Sequence, residues 1–63
     1  MEKQKIENIY AYANMLEENL QKDISKEKDE SKQKTMIAIK KHLVSIQLEA
    51  QDILSLMAGV LND

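Results

Sequence analysis

The chain contains no cysteine, no proline, no arginine, no phenylalanine and no tryptophan, and only one glycine in 63 residues. Without cysteine there is no disulfide staple and no thiolate metal site. Without arginine there is none of the planar fork that grips phosphates and guanine edges. All nine basic residues are lysines, and the net charge is −2. A weakly acidic, lysine-only chain lacks the electrostatic footprint of a nucleic-acid binder. The lone glycine, Gly59, sits near the C-terminus, so no glycine-rich loop is present to cradle a phosphate. Cysteine-free, lysine-only usage also suits an AT-rich bacterial or phage gene.

Long apolar runs are missing as well. The longest cluster, ILSLMAGVL from Ile53 to Leu61, has nine residues, whereas a bilayer-spanning helix needs about 20. The opening MEKQKIENIY has no apolar stretch of the signal-peptide kind. The expected location is cytoplasmic, with no membrane contact and no cofactor.

What remains is helix-forming stock: Ile, Leu, Met, Ala, Lys, Glu and Gln. In the first part of the chain, Ile6, Ile9, Ala13, Leu16 and Leu20 step by 3, 4, 3 and 4. That is the a/d repeat of a helix burying one stripe against another helix. Tyr10 and Ile24 widen its flank. In the second part, Met36, Ile39, Leu43, Ile46, Ala50, Ile53, Met57 and Val60 step by 3, 4, 3, 4, 3, 4 and 3 without a miss. More apolar residues lie off this stripe, including Ile37, Val44, Leu48, Leu54, Leu56 and Leu61. A helix so broadly apolar needs cover on more than one side.

The segment QKDISKEKDESKQKT, Gln21 to Thr35, links the two. It has no glycine or proline to mark a turn. Phase decides its role. Continuing the first repeat by sevens places its a positions at Glu27 and Lys34, but the second repeat begins at Met36, two residues out of register. Two residues are about 200° around a helix, so one straight rod would carry its stripes on nearly opposite faces. A reversal lets them meet. Asp29 and Ser31 can cap a new helix. The predicted fold is all-α: a helix from about Lys3 to Glu27, a turn at about Lys28–Ser31 and a helix from about Lys32 to Leu61, forming one antiparallel hairpin domain. Within it Ile24 should face Met36, Leu16 should face Leu43, Ala13 should face Ile46 and Ile9 should face Ala50. A continuous rod is the alternative.

Such a hairpin would leave Val44, Leu48, Leu54, Leu56 and Leu61 wet. A single core at this size rarely supplies more than ~3–5 kcal/mol. A second copy, completing a homodimeric four-helix bundle, is the simplest cover. A different protein is the other.

Chemistry is sparsely represented. His42 has no carboxylate at helical spacing; its neighbours there are Ala38, Ile39, Ser45 and Ile46. Ser45 stands three residues after His42, but a helix surface offers no oxyanion hole for that pair. Glu49 and Asp52 share a helix face, and this half-motif resembles the magnesium-holding ExxE and ExxD pairs of helical pyrophosphate hydrolases. Glu17 lacks the acidic partner that such a site requires, since Leu20 and Gln21 follow at the matching positions. SIQLE, Ser45 to Glu49, resembles the S-x-E-L-D signature of the small two-helix aspartyl-phosphate phosphatases. Gln47 and Glu49 depart from it, and the likeness ends after five residues.

The expected function is therefore that of a small non-enzymatic interaction module: an inhibitor, adaptor or antagonist that binds itself and another protein. Tyr12, Met15, Val44, Leu48, Leu54, Leu56 and Leu61 are the candidate contact residues, and no catalytic or metal-binding residue is assigned. A structural scaffold, and a minimal magnesium-dependent hydrolase built on carboxylates, are the alternatives.

Overall fold

A computed structural model describes the backbone of residues 2–61 and the side chains of residues 2–59. Helix α1 spans Lys3–Lys26 and helix α2 spans Glu30–Leu61. They pack side by side as a hairpin about 51 Å long. The continuous rod is thereby overturned.

The reversal needs no glycine because none of its residues adopts a positive φ. Glu27 leaves α1 in extended conformation, with φ −75° and ψ 125°. Its amide still donates to the carbonyls of Asp23 and Ile24, at 3.0 and 3.3 Å. Asp29 then caps α2. Its carboxylate accepts the amides of Ser31 at 2.9 Å and Lys32 at 3.3 Å, and its carbonyl accepts Gln33 N–H at 2.9 Å. This arrangement satisfies donors that a helix start otherwise leaves unpaired. Gln33 reaches back across the turn, its side-chain amide donating to the Ile24 carbonyl at 3.1 Å. The turn is thus Glu27–Asp29, one residue earlier and one residue shorter than the predicted Lys28–Ser31, and α2 begins at Glu30 instead of Lys32. Ser31 lies inside the helix because the stronger acceptor, the Asp29 carboxylate, has already taken the cap.

The seam departs from the predicted stripe. Facing α2, α1 presents Ile6, Tyr10, Ala13, Glu17, Leu20 and Ile24, all buried or half-buried. Facing α1, α2 presents Met36, Lys40, Leu43, Gln47, Ala50, Leu54 and Met57, likewise buried or half-buried. Met36, Leu43, Ala50 and Met57 belong to the predicted stripe. Ile39, Ile46 and Ile53 do not enter the seam; Lys40, Gln47 and Leu54, each one residue further on, take their places. Leu54 and Val44, expected to be wet, are half-buried for the same reason. Leu16 and Leu43, Ala13 and Ile46, and Ile9 and Ala50 still line common stretches of groove, but Ile9, Leu16 and Ile46 stand at the open edge of the seam.

Two features explain the choice of rows. Ala13 and Ala50 are almost fully buried, so the helices close up where side chains are smallest. Polar groups then pair across the seam. Gln47 donates to Glu17 Oε1 at 2.7 Å, Lys40 to Gln21 Oε1 at 2.6 Å, and Gln51 to the Tyr10 hydroxyl at 3.3 Å. Gln47 also donates to the Leu43 carbonyl, and no buried side-chain polar atom among the described residues lacks a partner.

Removing the α2 cap should be felt by the whole hairpin. Asp29→Ala is expected to lower stability by about 1 kcal/mol, while Asp29→Asn should lose much less. Urea denaturation followed by circular dichroism checks this, and equal loss in both variants would show that the capping bond contributes nothing.

Candidate functional site

A hairpin of two helices has two open sides, and they differ in chemistry. On one side, Ile9, Tyr12 and Leu16 of α1 flank Ile39, Ile46 and Ile53 of α2, and all six are exposed. They border a groove that runs along the seam. One stretch, of about 400 Å³, is lined among others by Tyr12, Ala13, Leu16, Leu43 and Ile46. The next, of about 340 Å³, lies between Ile6, Ile9, Ala50 and Ile53, with His42, Ser45 and Glu49 at its rim. The contrast of neighbours on α2 is direct: Ile46 is 42% exposed while Gln47 beside it is 8% exposed. A polar amide is inside and an isoleucine is outside.

The opposite side is mostly polar on α1, where Asn14, Glu18 and Gln21 lie. On α2 it carries a smaller apolar strip, with Ile37 and Leu48 exposed and Val44 half-buried. Of the predicted contact residues, Tyr12 alone borders the large groove, and it is 62% exposed. Val44 and Leu48 share the smaller strip. Leu54 is in the seam. Met15 and Leu56 are exposed and lie on the outer backs of α1 and α2, away from both sides. The Leu61 side chain falls outside the described residues.

Sequence reasoning assigned Ile9, Leu16, Ile39, Ile46 and Ile53 to the hairpin seam and so missed them as surface. A signal was available. On α2 the a, d and b rows are all rich in apolar residues, and one neighbouring helix covers only two rows of such a pattern.

No cluster of three or more His, Cys, Asp or Glu side chains that could hold a metal occurs among the described residues. Glu49 and Asp52 are exposed, and the Glu17 carboxylate accepts the Gln47 amide. The Ser45 hydroxyl donates to the Lys41 carbonyl at 3.2 Å. Neither described helix is long and apolar enough to cross a membrane. No protein-family model, curated protein or solved structure matches the chain.

A single pair of exposed carboxylates binds magnesium too weakly to stabilise a fold, because the ion keeps its waters unless several oxygens converge. Millimolar magnesium should therefore leave the thermal midpoint where an equal ionic strength of sodium leaves it. A rise of several degrees specific to magnesium, abolished by Glu49→Gln, would instead place a cation at Glu49 and Asp52.

Proposed function

We propose that the chain is a non-enzymatic interaction module: a helical hairpin that pairs with a second copy into a four-helix bundle and presents its remaining surface to another protein. The observation that carries this reading is the continuous apolar face formed by Ile9, Tyr12, Leu16, Ile39, Ile46 and Ile53.

The dimensions support it. The radius of gyration is 14.9 Å, against about 11 Å for a compact globule of this length. The accessible surface is 4997 Å², against about 4,200 Å² for a compact monomer of 7.3 kDa. The difference, about 800 Å², matches what one partner contributes to a standard protein interface. Two hairpins stacked on their apolar faces would remove this excess and cover the row of isoleucines, each worth about 1.5–3 kcal/mol when fully buried.

Once that face is covered, the strip of Ile37, Val44 and Leu48 remains on the far side of each hairpin. It is the surface available to a heterologous partner, and a regulator, adaptor or antagonist would act through it. A purely structural bundle would leave it unused.

At roughly 100 μM the wild-type chain is expected to sediment as a dimer. Ile46→Glu should sediment as a monomer of reduced helicity, because burying an unpaired carboxylate costs more than the contact returns. Leu48→Glu should keep the dimer and lose whatever protein the wild type captures from its native extract. A monomeric wild type, with helicity intact, sinks the bundle. Capture unaffected by Leu48→Glu removes the far strip from the reading.

A further inference from the structure

We propose that the two copies pair with their turns at opposite ends, about a two-fold axis that crosses the apolar face between Tyr12 and Leu16 of α1, at the height of Asn14, and at Ile46 of α2. The inference rests on the dimer of the preceding section and adds its orientation.

The argument starts from the stripe that α1 offers to the groove side. Lys5, Ile9, Tyr12, Leu16, Asn19 and Asp23 follow at steps of 4, 3, 4, 3 and 4, so they lie along one helix face. The stripe is apolar in the middle, cationic at one end and anionic at the other. On α2, Ile39, His42, Ile46, Glu49 and Ile53 follow at steps of 3, 4, 3 and 4. This stripe is symmetric in its apolar positions about Ile46, with a basic ring on one side and a carboxylate on the other. Ala13 and Ile46 line the same stretch of groove, so the centres of the two stripes stand at the same height.

An axis lying in the contact plane and perpendicular to the helices reverses each stripe onto itself. Lys5 and Asp23 each lie nine residues from Asn14, or about 13.5 Å. Lys5 therefore meets the partner's Asp23, and Tyr12 meets the partner's Leu16. On α2, Ile39 meets the partner's Ile53, Ile46 meets its own counterpart, and His42 meets the partner's Glu49. Symmetry makes each charge contact twice. In the isolated hairpin, Lys5 holds only a largely exposed ion pair with Glu2 at 3.3 Å, which is readily exchanged. Asp23 and Glu49 carry no ion pair among the described residues.

The other two-fold arrangement places the turns together and lays α1 of one copy over α2 of the other at equal height. Asp23 then falls on the partner's Thr35 and Ile39, and Lys5 on the partner's Ile53. Neither charge then meets an opposite charge on the partner's stripe at its own height. Rim charges of this kind set orientation more than affinity, through the penalty on the wrong arrangement.

The chain has no cysteine of its own, so one label can be placed cleanly. Lys28 is exposed in the turn, away from both apolar faces. Lys28→Cys carrying a nitroxide should give an inter-protomer distance of about 40 Å, since twelve residues of helix rise and part of the turn separate it from the axis in each copy. Turns at the same end would give less than about 20 Å, because packed helices lie 8–10 Å apart. Sedimentation of the labelled chain separates the two possible failures. A dimer with the short distance overturns the orientation alone, whereas a monomer overturns the dimer and with it this inference. A charge exchange supplies the second measurement. Lys5→Asp should raise the dimer dissociation constant about tenfold, and Lys5→Asp combined with Asp23→Lys should restore it to within about twofold. Equal weakening by the single and combined variants would refute the Lys5–Asp23 contact.

Discussion

The structure depends on a limit of geometry: α1 has one side to give to α2, and α2 carries more apolar surface than that side can cover. The row of Met36, Leu43, Ala50 and Met57 is buried or half-buried in the seam. Beside it run the row of Ile39, Ile46 and Ile53 and, on the other flank, the row of Lys40, Gln47 and Leu54. Only one flank can turn inward with it. The flank that turns in contains a lysine and a glutamine, and the flank left out contains three isoleucines. Considered within the hairpin alone, this is the less apolar option. It would become favourable if the outer row were buried against a second copy, as proposed.

The polar seam also has a role that isoleucines could not fill. Two smooth apolar stripes of repeating spacing can slide past one another by a heptad at little cost, and a single buried polar contact is the usual device that fixes register. Glu17 with Gln47 is such a contact, part-buried in the seam, and the exposed pairs Tyr10 with Gln51 and Gln21 with Lys40 flank it along the seam. The Gln21–Lys40 and Tyr10–Gln51 pairs join positions whose numbers add to the same sum, 61, so both enforce one register. Each hydrogen bond contributes only about 1 kcal/mol. A slipped register, however, would cost the nearly buried Gln47 amide and the Glu17 carboxylate their bond to each other, leaving Gln47 only the Leu43 carbonyl of its own helix. Ala13 and Ala50 tighten the same constraint, since larger side chains slid into their places would force the helices apart.

The two helices and the reversal between them were legible in the residues because hydrophobic phase is a long-range quantity. A mismatch of two positions between repeats cannot be absorbed by a straight helix. The turn's own residues were less informative: without glycine, the exit from α1 relies on an extended Glu27, a conformation open to any residue, and only Asp29 carries a recognisable signal. The orientation of α2 about its own axis was not legible. Apolar spacing ranks Ile39, Ile46 and Ile53 above Lys40, Gln47 and Leu54, and that ranking is correct for burial as such. It says nothing about which neighbour does the burying. The largest exposed apolar face was not legible for this reason. Leu48 and Tyr12 were recognised as surface, while the isoleucine row that dominates the exposed face was assigned to the interior.

This division of rows bears on how a chain of 63 residues can function with so little core. If the isoleucine row closed the hairpin, the monomer would gain apolar burial and the outer face would be polar, leaving little surface for assembly. With the row turned outward, the hairpin alone has a thin core in which the most buried apolar side chains are Ala13, Ile24, Ala50 and Met57. Folding and the proposed self-association are then coupled, because most of the aliphatic burial is deferred to the second copy. Such coupling suits a regulator. Its folded population would follow its concentration, and a partner that docks on Ile37, Val44 and Leu48 would meet a surface that is ordered only when α2 is held in place by the dimer. The same outward row that makes the hairpin look unfinished is what would make its activity depend on assembly.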